Sequence, residues 1–171
     1  MGRAFQEAVV IHDDCSVGEA SQRLQPLLCQ RDAPTPVIAF AIRSKKAIGG
    51  INMTASHNPG HYNGFKLCAK GARPISAANG ILDIERMVAA TQGAKAARRG
   101  TLSTSTMLES YAAHVARFAT LARPVKIAVD CANGMEAYTL PAILPKVPAI
   151  SATLLYDTLD GTFPYHEANP L

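Results

Sequence analysis

The feature that most constrains this 171-residue chain is a strand that breaks into a proline- and asparagine-bearing turn and then resumes. Gly49-Gly50-Ile51-Asn52-Met53 reads as a short strand entering Thr54-Ala55-Ser56-His57-Asn58-Pro59. Pro59 and Gly60 stop a helix from starting early, and Phe65-Lys66-Leu67-Cys68 reads as the next strand. A hydroxyl nucleophile, Ser56, is thereby held in a polar turn, with an ammonium, Lys66, ten residues on. A serine so placed can carry a phosphoryl group, which brings about −1.5 to −2 charges and three acceptor oxygens. Such a group needs cations and amide donors around it.

The rest of the chain alternates strand-like and helix-like segments. Ala8–Ile11 is an apolar run ending in the polar His12-Asp13-Asp14, a strand and turn. Residues 18–28 have helical spacing interrupted by Pro26, and Ala33-Pro34-Thr35-Pro36 is a rigid loop. Residues 37–42 are apolar, and spacing alone leaves helix or strand open there. An amphipathic helix is predicted over residues 79–90, with Ile81, Ile84 and Val88 on one face. Residues 91–105, rich in Gly, Ala, Thr and Ser, read as a connection. A helix over 107–121 carries Leu108, Tyr111, Val115 and Phe118 in register. Val125–Val129 and Ala152–Tyr156 read as strands, and residues 137–144 as a helix weakened by Pro141 and Pro145. The pattern implies a layered α/β fold, with a boundary near residue 123.

Composition narrows the function classes. Hydrophobic residues make up 48% of the chain, enough for a packed core. The net charge of +4 suits an anionic ligand or simply a solvated basic surface. The basic residues are scattered and not interleaved with aromatics, which argues against nucleic acid. Cys15, Cys29, Cys68 and Cys131 stand far apart with no C-x-x-C spacing, and read as reduced thiols of a cytoplasmic protein. No signal peptide is visible, and the apolar run Val37–Ile42 is far too short to span a bilayer, so no membrane partner is expected.

The T-A-S-H-N-P segment followed by Y-N-G-F-K resembles the signature of the phosphohexomutases, the family of phosphomannomutases and phosphoglucomutases. Gly71-Ala72-Arg73-Pro74-Ile75-Ser76 and Gly80-Ile81-Leu82-Asp83-Ile84 are similar to the stretch after the serine loop in bacterial phosphomannomutases. Asp130-Cys131-Ala132-Asn133-Gly134-Met135 resembles the strand and turn opening the family's second domain, and Asp160-Gly161-Thr162-Phe163-Pro164 a later loop of that domain. The resemblance extends from about Val9 to Leu171. It implies a helix over residues 37–42, a layered α/β/α domain with a mixed sheet over residues 1–123, and the start of a second similar α/β domain over residues 124–171.

The resemblance also implies a chemistry. Ser56 would be the phosphoryl carrier, giving its phosphate to a hexose 1-phosphate and taking one back from the other end of a hexose 1,6-bisphosphate intermediate. A covalent carrier splits one awkward transfer into two in-line ones. Lys66 would act as general acid/base and offset charge on the transferring group. His57 is grouped with the catalytic residues; adjacent side chains of an extended segment diverge, so it suits substrate contact or loop orientation better than activation of Ser56. Asn58 and Asn63 would shape the loop and line the substrate side. Thr35 would lie at the edge of the site. The family uses Mg²⁺, with one oxygen from the serine phosphate and the others from a D-G-D-x-D-R loop that this chain does not contain. A hexose 1,6-bisphosphate would serve as primer, and mannose is favoured over glucose as the sugar.

The chain also departs from the family pattern. The N-terminal F-R-x-Y-D-I-R-G segment is absent, and where G-R-D-x-R would follow the first strand the chain reads His12-Asp13-Asp14-Cys15-Ser16, without either arginine. The stretch from Ser16 to Thr35 is short, which predicts a missing strand in the first sheet. Glu136 stands where a small residue would be expected after the Asn133-Gly134 turn. The metal loop, the sugar-specificity domain and the C-terminal phosphate-binding domain would follow Leu171, so positioning of the substrate would need self-association or a complementing chain. Two alternatives therefore stand beside a mutase: a catalytically inactive remnant or binding module for a sugar phosphate or partner chain, and a serine hydrolase. The segment around Ser56 lacks the G-x-S-x-G elbow a hydrolase would use.

Overall fold

A computed structural model describes residues 8–13, 24–29, 33–59, 61–90, 102–167 and 169. The strands of the larger sheet are β1 (Ala8–Asp13), β2 (Leu24–Cys29), β3 (Gly49–Met53), β4 (Phe65–Ala69), β5 (Arg73–Pro74) and β6 (Ser103–Ser105). They lie in the order β5-β4-β3-β1-β2-β6. Every pairing is antiparallel except β2 with β6, so the sheet is mixed.

The helix α1 (Thr35–Ser44) carries the core of this unit. Pro34, extended, precedes it, and Pro36 sits in its first turn, where its missing N–H has no partner to lose. Val37, Ile38, Ala41 and Ile42 follow at helical spacing and are buried. They form a cluster with Ala33, Ala47 and Met107. Burial of each large aliphatic side chain contributes about 1.5–3 kcal/mol. The segment whose spacing left helix or strand open is thus helical, as the family resemblance implied. The helix α2 (Ile81–Ala90) also forms, with one difference from expectation: it has no buried residue, and Val88 is exposed.

A second, two-stranded parallel sheet pairs β7 (Val125–Asp130) with β8 (Ile150–Leu155). The helix α4 (Glu136–Ile143) connects them, accommodating Pro141, and a short 3-10 turn at Leu144–Lys146 takes up Pro145. The helix α3 (Leu108–Ala116) packs against both α1 and α4. The Lys146 ammonium pairs with Glu109 across the junction.

Three expectations are corrected. Leu24–Cys29 lies in a strand, not in a helix reaching Leu28. Pro26 disfavours a helix interior, and β2 finds a full antiparallel partner in β1. Pro26 lies in the part of β2 that β6 does not reach, so its missing N–H breaks no second ladder. The shortened stretch between Ser16 and Thr35 therefore still supplies a strand. Ser103–Ser105, read as connection, is an edge strand instead. His12 and Asp13, read as the start of a turn, end β1. The helical reading of residues 18–23, the turn residue Asp14 and the connection at 91–101 lie outside the described residues.

Candidate functional site around Ser56

The site is built on the β3–β4 pair. Its last rung sets Met53 opposite Phe65. The Thr54 N–H then donates to the Gly64 carbonyl at 2.9 Å, closing residues 54–64 into a loop. Gly64 has to be small there, because a Cβ would stand 3.2 Å from the Thr54 carbonyl oxygen. Inside the loop, Asn58 N–H donates to Ala55 O at 3.1 Å and Tyr62 N–H to Pro59 O at 2.9 Å, so two turns reverse the chain.

Ser56 sits two residues into the loop with φ +57°, a left-handed conformation rare outside glycine. Local bonding holds it there. The Ser56 N–H donates to Thr54 Oγ1 at 3.0 Å, and Thr54 is itself buried. The Lys66 ammonium donates to Ser56 Oγ at 3.3 Å. Both side chains are solvent-exposed, so the hydroxyl is accessible to a large substrate and carries a cation beside it. Strain of this kind costs of order 1–3 kcal/mol and is met at functional loops.

The other sequence-predicted residues are distributed around this pair. Asn63 Oδ1 accepts the Gly64 N–H at 2.9 Å, shaping the re-entry into β4. Asn58 contributes to the loop through its backbone bond. His57 is exposed next to Ser56, while the cationic partner of the serine hydroxyl is Lys66. Thr35, the first residue of α1, does not join the loop: its Oγ1 accepts a hydrogen bond from Asn52 Nδ2 at 2.9 Å.

Two residues escaped the sequence reading, Thr54 as the acceptor for Ser56 and Asn52 as the partner of Thr35. Asn52 is 1% exposed, and its Oδ1 has no hydrogen-bond partner. An asparagine inside a strand was the available signal, since this residue type is depleted in strands.

The residues present do not make a metal site by themselves. Among the described residues no group of three or more His, Cys, Asp or Glu is placed to hold an ion. A phosphate on Ser56 would be a single oxygen donor, short of the six that Mg²⁺ takes. Nor is any helix among the described residues long and apolar enough to cross a membrane. Cys68 and Cys131 are free thiols, and burial pushes both above the usual thiol range.

Comparison with known proteins agrees with this arrangement. Residues 16–95 match the family described as phosphoglucomutase/phosphomannomutase, alpha/beta/alpha domain I. A phosphomannomutase of Escherichia coli is 31% identical across the whole chain, which covers 43% of that protein. One of Salmonella montevideo is 35% identical, again across the whole chain and 42% of the relative. The chain thus spans about two-fifths of the length of these curated relatives. Among solved structures, a phosphomannomutase from Thermus thermophilus, described as putative, superposes with a TM-score of 0.67 at 26% identity. That match covers 85% of this chain and 33% of the other. A phosphoglucomutase/phosphomannomutase family protein from Burkholderia thailandensis superposes with a TM-score of 0.59 at 27% identity, over 80% and 30% of the two chains. By motif, sequence and fold, the chain matches the N-terminal portion of the phosphohexomutases, the phosphoglucomutase/phosphomannomutase family.

Proposed function

We propose that this chain is the phosphoryl-carrying part of a phosphohexomutase that interconverts hexose 1-phosphate and hexose 6-phosphate, with mannose favoured as the sugar. The observation that carries the reading is the Lys66 ammonium 3.3 Å from the hydroxyl of a left-handed serine. The homologous phosphomannomutases support the reaction class.

In the proposed cycle the 6-hydroxyl of a hexose 1-phosphate attacks the phosphorus on Ser56. The bond from phosphorus to Ser56 Oγ breaks, and the leaving oxygen takes a proton from Lys66. The 6-hydroxyl gives up its proton to water as the new bond forms. The product is a hexose 1,6-bisphosphate, which reorients. Ser56 Oγ, deprotonated by the now-neutral Lys66 amine, then attacks the 1-phosphate, and the bond from phosphorus to the C1 oxygen breaks, that oxygen taking a proton from water as hexose 6-phosphate is released. Transfer of this kind needs positioning and charge stabilisation more than covalent chemistry from the protein. His57, Asn58 and Asn63, on the loop, would face the substrate. Thr35 would act at the edge of the site. Residues 1–123 would form the first domain and 124–171 an incomplete second one, with the rest of the substrate cradle supplied by further domains or a complementing chain. Mg²⁺ chemistry would likewise need ligands from outside the described residues.

The test is phosphoryl uptake. The purified chain is incubated with mannose or glucose 1,6-bisphosphate, and the peptide bearing Ser56 is weighed by mass spectrometry, with Ser56→Ala as control. Turnover of the two hexose 1-phosphates, with Mg²⁺ and primer, is measured in parallel. Uptake that vanishes in Ser56→Ala supports the carrier role, and the preferred sugar identifies the substrate. A folded chain that takes up no phosphate would be an inactive remnant or a binding module instead.

A further inference from the structure

We infer that Asn52 is a positioning residue for the serine loop, acting through Thr35; the inference rests on the carrier role proposed for Ser56. Asn52 is almost fully buried, yet only one side of its amide is used, in the 2.9 Å bond to Thr35 Oγ1. An apolar side chain in that place would leave no orphaned carbonyl. What the amide adds is a tie between two elements that approach the site from different directions.

The register shows what is tied. Asn52 lies directly opposite Lys66 in the β3–β4 ladder. Directly opposed residues project from the same face of a sheet, and the Asn52 side chain reaches α1. Lys66 therefore projects from the α1 side, where it meets Ser56. Two residues after Asn52, Thr54 takes the Ser56 N–H. One part-buried bond thus pins the end of β3, and the strand pair holding Ser56 and Lys66, to the first residue of the best-buried helix of the unit.

The start of α1 is not an anion site competing for this role. Pro36 has no N–H, and the Val37 and Ile38 N–H groups both donate to the Pro34 carbonyl, at 2.9 and 3.3 Å. The first turn is closed on itself, and Thr35 is its remaining handle on the sheet.

Full-chain Asn52→Leu, Thr35→Val, the double variant and Thr35→Ser discriminate the possibilities. The first two remove the tie and keep the number of side-chain heavy atoms, and Thr35→Ser keeps the acceptor oxygen. Amide hydrogen exchange over residues 54–64, thermal midpoint and Ser56 phosphoryl uptake are read for each. Asn52→Leu and Thr35→Val should each speed loop exchange about tenfold and slow uptake by about ten- to a hundredfold. The double variant should be no worse than either single one, and Thr35→Ser, which keeps the acceptor oxygen, should keep the loop exchange of the parent. The midpoint of Asn52→Leu should not fall, because the orphaned carbonyl is gone. Unchanged loop exchange in Thr35→Val would overturn the inference, as would additive effects. A merely structural bond would lower midpoint and uptake together in Thr35→Val without speeding exchange of the loop selectively, which would also overturn the inference. If Asn52→Leu fails to fold, the two Thr35 variants still decide. A parent chain that takes up no phosphate would sink the carrier role, while loop exchange would still test the tie.

Discussion

The Lys66 ammonium reaches Ser56 Oγ at 3.3 Å although ten residues separate them, because Asn52 and Lys66 are paired across the ladder that leads to the serine. On the proposed chemistry Lys66 serves the phosphoryl group on Ser56 in both transfers. Lys66→Met keeps the stem and removes the charge. Ser56 phosphoryl uptake from hexose 1,6-bisphosphate should then fall roughly a hundredfold, the scale of losing one charge-stabilising donor. Both side chains are exposed, so the thermal midpoint should stay within a degree or two of the parent. Phosphopeptide mass spectrometry against time, beside a melting curve, checks both. Equal uptake by parent and variant would remove Lys66 from the mechanism.

Gly49, at the far end of the same strand pair from the serine loop, should tolerate no side chain. A Cβ there would stand 2.8 Å from the Cys68 backbone carbonyl oxygen, and a backbone atom cannot swing aside. Gly49→Ala should cost about 1–3 kcal/mol. Gly64→Ala, with 3.2 Å to the Thr54 carbonyl, should cost less but move the loop. Urea denaturation of the two variants gives the order directly; equal midpoints would mean the β3–β4 ladder opens more easily than its geometry suggests.

Much of this loop is legible in the amino-acid sequence alone. A strand, a turn marked by Pro59 and Gly60 and a second strand are local properties. Met53 opposite Phe65 delivers Ser56 and Lys66 to one place once those strands pair. What is not legible depends on distant partners. Leu24–Cys29 has no strand signature of its own around Pro26, and becomes β2 because β1 and β6 flank it. Ser103–Ser105 is polar and short, and is a strand only by its pairing with β2. The amphipathic pattern of Ile81–Ala90 foretold a helix but not whether its apolar side would be covered. Asn52 and Thr35 lie 17 residues apart, and their bond is a consequence of how α1 docks on β3.

Asn133 holds the turn after β7 to the chain beyond β8. Its side-chain amide donates to Thr158 O at 2.8 Å, its N–H to Tyr156 O at 3.0 Å, and its carbonyl accepts from Asp160 N–H at 3.0 Å. It is buried and left-handed, with φ +53°. Asn133→Ala should lose the amide bond and keep the conformational strain, costing about 1–3 kcal/mol. Asn133→Gly relieves the strain and loses only the bond, so it should melt above the alanine variant. The reverse order would mean that the left-handed backbone is not what the asparagine is there to supply.

The last prediction concerns pH. His166 Nε2 lies 3.2 Å from both carboxylate oxygens of Asp130, at the end of β7. The Glu167 carbonyl, accepting from Nδ1, and then Asp130 raise the His166 pKa above its usual 6.5. The Ala132 N–H, and then His166, hold the Asp130 carboxyl below its usual 3.8. A raised histidine stabilises the fold in full below about pH 6.5 and loses that contribution as pH climbs through its folded value. A lowered carboxyl stabilises the fold above about pH 3.8 and loses its contribution as pH drops through its own folded value. The pair should therefore help most between these limits. Both groups are open to solvent, so the effect is best read at the groups themselves. The His166 imidazole resonance should titrate above pH 6.5 in the parent. Asp130→Asn should lower that midpoint only in part, since the Glu167 carbonyl, the larger cause, remains. A midpoint unmoved by Asp130→Asn would show that the two side chains do not meet in solution.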